Sequence, residues 1–70
     1  MNEREKRIKM FLIEKGLYQS QVAKRLGVGS PFLSLWIKGV RRSARVRRYF
    51  IEDLGCPESI VDAEPAGNGR

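Results

Sequence analysis

The chain has no histidine and a single cysteine, Cys56. These counts exclude an internal disulfide and a zinc site built from Cys and His. Cys56 alone reads as a small, partly buried apolar residue rather than a redox centre. No apolar run approaches the ~20 residues needed to cross a bilayer. The opening MNEREKR also lacks the apolar stretch of a secretory signal. The expected setting is therefore the reducing cytoplasm, with no membrane partner. Strand-like alternation and internal repeats are missing, which leaves an all-α reading. There is no convincing paired-carboxylate constellation and no phosphate-binding Gly-rich loop, because Gly27-Val28-Gly29 is sufficiently explained as a turn. These absences argue against an enzyme, a metal and a cofactor. No small-molecule ligand is expected either.

What the chain does have is positive charge, unevenly placed. Residues 1–50 hold 13 Lys and Arg against three acids, whereas residues 51–70 hold one Arg against five acids. Between Glu14 and Glu52 there are nine basic side chains and no acid: Lys15, Lys24, Arg25, Lys38, Arg41, Arg42, Arg45, Arg47 and Arg48. Such a basic body suits a polyanion, and the acidic end keeps the rest solvated. With 70 residues the chain forms one domain with a small core, near the lower limit of independent stability, so that dimerisation or partner binding is expected to help.

Apolar spacing and stop residues divide the chain into helices. Asn2 and Glu5 have capping-box spacing, and Ile8, Phe11 and Leu12 share a face of a first helix over Glu3 to Lys15. Gly16 ends that helix, with Leu17 placed to fold back on its last turn. A second helix runs from Gln19 to Leu26, with Val22, Ala23 and Leu26 inward and Gln19, Gln21, Lys24 and Arg25 outward. Gly27 stops it. Pro31 fits the first turn of a third helix capped by Gly29 or Ser30, with Leu33 and Trp36 inward and Gly39 at the end. Ser43 opens a fourth helix in which Val46, Phe50 or Tyr49, and Leu54 recur, closed by Gly55. A short fifth turn or helix at Pro57 to Val61 adds Ile60 or Val61 to the core. The domain is expected to span residues 1–61, and residues 62–70 read as a disordered tail.

Two short helices joined by a tight turn, with small Ala23 and Gly27 at the elbow, describe a helix-turn-helix. The spacing Gln19, Val22-Ala23, Leu26-Gly27-Val28, Leu33, Trp36, Gly39, together with Leu54-Gly55-Cys56, resembles the Cro and phage-repressor (XRE-like) family over about Ile8 to Ile60. The resemblance implies a compact bundle of four or five helices of the lambda-repressor-like type. It also implies a sequence-selective transcriptional regulator, a small bacterial or phage repressor associated with the nucleoid. Such a regulator binds double-stranded DNA as a dimer with recognition helices about 34 Å apart.

By matching position, Gln19 is expected on a backbone phosphate with Gln21 assisting. Ser30, Pro31, Ser34, Leu35 and Lys38 then form the outward face of the recognition helix, and Arg41 and Arg42 lie in the following loop, where phosphate contacts are expected. By its location beside the end of that helix, Arg45 joins the DNA-binding residues. Where relatives place Arg, Gln or Asn, this chain has Gly29, Ser30, Pro31 and Leu35. Few bidentate base contacts are available, although Leu35 can pack on a thymine methyl. Selection is therefore expected to rest more on DNA shape, Gln21 and the arginines.

Plainer readings stand beside these. Trp36, three residues from Leu33, is a core residue before it is a stacking platform. Gln19 reads alone as a solvated helix end, and the run RRSARVRRYF as a solvated basic face. Tyr18 lies on the surface or touches a phosphate. Phe32, Leu35 and Ile37 make the third helix unusually apolar. They either pack against the fourth helix or loop, or form a dimer seam or a protein-partner surface. The last option gives the competing function, a protein-interaction module of adaptor or antitoxin type. RNA binding ranks lower, since single-strand readers display several exposed aromatics.

Overall fold

The computed structural model describes residues 3–63. Five α-helices follow in order: α1 (Glu3–Lys15), α2 (Gln19–Leu26), α3 (Ser30–Lys38), α4 (Ala44–Arg48) and α5 (Glu58–Val61). Between α4 and α5 the chain widens into a π-helical turn, Tyr49–Asp53. There is no strand among the described residues, and the protein is a small all-α bundle. The Asn2 cap and the part of the expected tail from residue 64 onward lie outside the described residues.

The helix boundaries follow from local chemistry. Gly27 ends α2 at φ 72°, where its own amide bonds the Lys24 carbonyl at 3.2 Å and the Val28 amide reaches the Ala23 carbonyl at 3.0 Å. Gly39 ends α3 in the same way at φ 89°, with the Val40 amide on the Leu35 carbonyl at 2.9 Å. Left-handed backbone is cheap only for glycine, so these two residues fix where α2 and α3 stop. Pro31 lies in the first turn of α3, where its missing amide costs nothing. The Ser43 hydroxyl accepts the Val46 amide at 3.2 Å and starts α4.

Ile8, Val22, Leu33, Ile37, Val46 and Phe50 are the largest fully buried side chains. At about 1.5–3 kcal/mol for each fully buried side chain, this cluster is the main favourable contribution to folding. Trp36 packs on Phe50 with ring centroids 4.8 Å apart, joining α3 to the π turn. The fourth-position spacing of Val46 and Phe50 survives, but the π turn shifts the register. Leu54 is consequently only half-buried, and Cys56 and Val61 complete the core. Burial pushes the Cys56 thiol above its ordinary value and the Arg4 charge opposes this, so Cys56 is a packing residue.

Ile37 takes the packing option of the two that the sequence leaves open. It is wholly buried, because Leu33, Trp36 and Ile37 at i, i+3 and i+4 form one stripe facing the core. Phe32 is half-buried and also packs against the core.

A charged residue sits among these apolar groups. Arg4, on α1, is 6% exposed. Its Nε donates to the Ile37 carbonyl at 3.2 Å, one Nη to the Trp36 carbonyl at 3.0 Å and the other to the Val61 carbonyl. The guanidinium carbon lies 4.6 Å from the centroid of the Trp36 ring. Arg4 thus supplies donors to the end of α3, where intrahelical amides run out, and places a cation at the negative end of the helix. Burial pushes its pKa below the ordinary value, and Asp62 partly offsets that.

Just after α5, Asp62 is hydrogen-bonded to Arg47 at 2.8 and 2.9 Å. Both side chains are about half-exposed, so water screens the pair. It is Val61 and Arg4 that secure α5. Replacing Arg4 with methionine keeps the bulk of the side chain but strands buried carbonyls. Chemical denaturation should register a loss of about 3 kcal/mol for Arg4→Met, whereas a neutral result would show that the clamp carries no stability.

Candidate nucleic-acid interface

The expected site residues converge on α2, α3 and the segment that follows them. Gln19 is half-exposed at the first position of α2, and Gln21 is exposed two residues on. The Gln21 side-chain oxygen accepts the Tyr18 amide at 2.9 Å, so one end of this amide group caps α2. Tyr18 is 74% exposed and lies on the surface. Val22, Ala23 and Leu26 are buried behind this end of the unit. A three-residue turn, Gly27 to Gly29, leads into α3.

α3 divides cleanly into two faces. Leu33, Trp36 and Ile37 are buried. Ser30, Pro31 and Lys38 are exposed, and Ser34 and Leu35 are half-exposed. Leu35 lies outside the core cluster and its packed neighbours. The open face is short of donors: two hydroxyls, one apolar side chain, a proline ring and a terminal ammonium. It can make single hydrogen bonds and apolar contacts, and it has none of the planar forks that read a purine edge bidentately. Beyond Gly39, Arg41 and Arg42 are exposed and form no ion pair among the described residues.

Arg45 takes a more specific position than the sequence indicated. It is exposed overall, but its guanidinium donates to the Leu26 carbonyl at the end of α2. A Cβ at Gly27 would lie 3.6 Å from the same guanidinium nitrogen. Arg45 therefore ties α4 to the turn between α2 and α3 and places positive charge at the negative end of α2. Its remaining N–H groups keep it able to meet an anion at the same place. Of the other basic residues in the run, Arg47 is engaged by Asp62, while Arg48 is exposed on α4.

Arg4 was not legible as a site residue, although it supports α3 from behind. Its signal was positional: Arg4, Ile8 and Leu12 recur every fourth residue, which places Arg4 on the buried face of α1. Among the described residues no group of three His, Cys, Asp or Glu side chains could hold a metal, and no helix is long and apolar enough to cross a membrane.

Truncating Arg45 tests the brace. Arg45→Met should lower stability by about 1 kcal/mol, the scale of one partly exposed charged hydrogen bond. Amide hydrogen exchange at Gly27 and Val28 should accelerate more than at Ile8 or Leu12. Unchanged exchange at the turn would contradict the role. No family model matches this chain, and neither a curated protein nor a solved structure matches it significantly.

Proposed function

We propose that the protein binds double-stranded DNA through α3 and acts as a small transcriptional regulator of the Cro and phage-repressor type. The observation that carries this reading is the two-faced α3. One side is locked into the core by Leu33, Trp36 and Ile37, while on the other Ser30 and Lys38 are exposed and Ser34 and Leu35 half-exposed. A single helix presented in this way has the diameter of the major groove. The surrounding charge has the matching sign, since Arg41, Arg42 and Arg45 follow α3 directly and no acid interrupts the sequence from Lys15 to Ile51.

In this reading, phosphate contacts and base contacts have separate owners. Arg41, Arg42, Arg45 and Gln19 hold the backbone and set register. Ser30, Pro31, Ser34 and Leu35 face the bases but offer few directional donors. Sequence preference then comes from groove shape and apolar contact more than from a dense hydrogen-bond code. The competing reading, a protein-interaction module built on the apolar surface of α3, loses most of that surface: Ile37 is buried and Phe32 packs on the core, leaving Leu35.

The test is a salt series. Binding to random duplex should weaken linearly in log K against log salt, and Arg41→Ala with Arg42→Ala should reduce the steepness by about 2. A slope near zero in the unmodified protein would contradict the proposal. So would tight binding to a protein partner that survives the arginine changes and fails with Leu35→Lys.

A further inference from the structure

Beside the end of α3 lies a cleft of about 430 Å³, within the size range of small-ligand sites. Trp36 and Arg4 contribute to its lining from α3 and α1. Arg41 and Arg42 line it from the connecting loop, and Arg47 and Asp62 from α4 and the end of α5. Four arginines and one aspartate thus line the cleft. That carboxylate is already committed, because Asp62 accepts two hydrogen bonds from Arg47. The N–H groups of Arg4 go to carbonyls, which satisfy its geometry without cancelling its charge. Arg41 and Arg42 have no ion pair among the described residues. Burial is the main cause that holds the Arg4 pKa down; Asp62 and Cys56 oppose it, and the neighbouring Arg42 charge adds a smaller effect in the same direction as burial. A concave site in which positive charge predominates concentrates anions, and a planar fork such as guanidinium matches phosphate oxygens well.

We propose that this cleft binds a small phosphorylated molecule, held by Arg41 and Arg42 at the loop, against the positive charge of Arg4. The sequence alone gives no reason to expect a small-molecule ligand; the buried Arg4, which lines the cleft, supplies one. Arg41 and Arg42 also belong to the proposed DNA-binding surface, so ligand and duplex compete for them. That consequence rests on the DNA-binding reading, whereas ligand binding does not.

The full chain is titrated with inorganic pyrophosphate at constant ionic strength, read by calorimetry and by the emission of Trp36, the only tryptophan. Saturable binding is expected, with affinity falling roughly tenfold or more in Arg41→Ala/Arg42→Ala as charge-assisted contacts are lost. Arg48→Ala, outside the cleft, should change affinity by less than about twofold. Circular dichroism checks that each variant remains folded. No saturable heat by about 10 mM would overturn the proposal, and so would equal loss in Arg48→Ala, which marks diffuse attraction. In a second arm, pyrophosphate should release a labelled duplex at concentrations where sodium chloride of equal ionic strength does not. A duplex that fails to bind at all would sink the DNA reading and leave the pyrophosphate result standing. Release no stronger than with the matched salt would separate the cleft from the duplex surface and overturn the competition.

Discussion

Everything that α3 can do depends on how Arg4 holds its end. A guanidinium buried to this extent loses most of its water, which is costly. Here the loss is offset by three carbonyl acceptors from two different helices, by the face of Trp36, and by the negative end of the α3 dipole. Because the acceptors belong to Trp36, Ile37 and Val61, one side chain on α1 fixes both α3 and α5. The apolar stripe of α3 sets which face points inward, and Arg4 sets where the helix ends relative to the rest. Without both, the open face would have no defined orientation.

The opposite end of the helix pair is secured by a second arginine. Arg45 reaches from α4 to the last carbonyl of α2, beside the glycine at which the chain turns. α3 is thus braced at the turn preceding it and at its own terminus, in each case by a cation on backbone carbonyl oxygen. Arginines in this chain therefore divide into structural and available ones. Arg4 and Arg47 are engaged internally, Arg45 is partly engaged, and Arg41 and Arg42 remain open to an anion. The same division sets the proposed phosphate cleft beside the proposed DNA surface: Arg4 lies at its back, and Arg41 and Arg42 are the pair left without an ion pair among the described residues.

Much of this was legible in the sequence because it is governed by local rules. The limits of α1 and α2 follow from apolar spacing and from Gly16 and Gly27, and the start of α3 from Gly29 and Pro31. The core positions Ile8, Leu12, Val22, Leu33, Trp36 and Val46 follow from the same periodicity. Less legible were features whose cause lies at long sequence separation. Arg4 sits in a stretch, EREKR, that reads as solvated charge, and only its carbonyl partners on α3 and α5 explain its burial. Ile37 carries a local signal at four residues from Leu33, but with Phe32 and Leu35 also apolar the sequence leaves packing and a partner surface as alternatives. The π turn leaves no mark in apolar spacing, since it changes how many residues fill one turn rather than which residues are apolar. Gln21 and Arg45 belong by sequence to the DNA-facing set, and each also has an internal hydrogen bond, Gln21 accepting the Tyr18 amide and Arg45 donating to the Leu26 carbonyl.

The central claim is that α3 is fixed from behind so that one defined face meets a duplex. Its most direct test is backbone amide shift mapping of the full chain on addition of a selected duplex. The account predicts perturbation at Gln19 to Gln21, along Ser30 to Lys38 and at Arg41 to Arg45, with the exposed Met10 and Ile13 of α1 silent. Perturbation centred on α1, or no perturbation by any duplex recovered from a random pool, would contradict it.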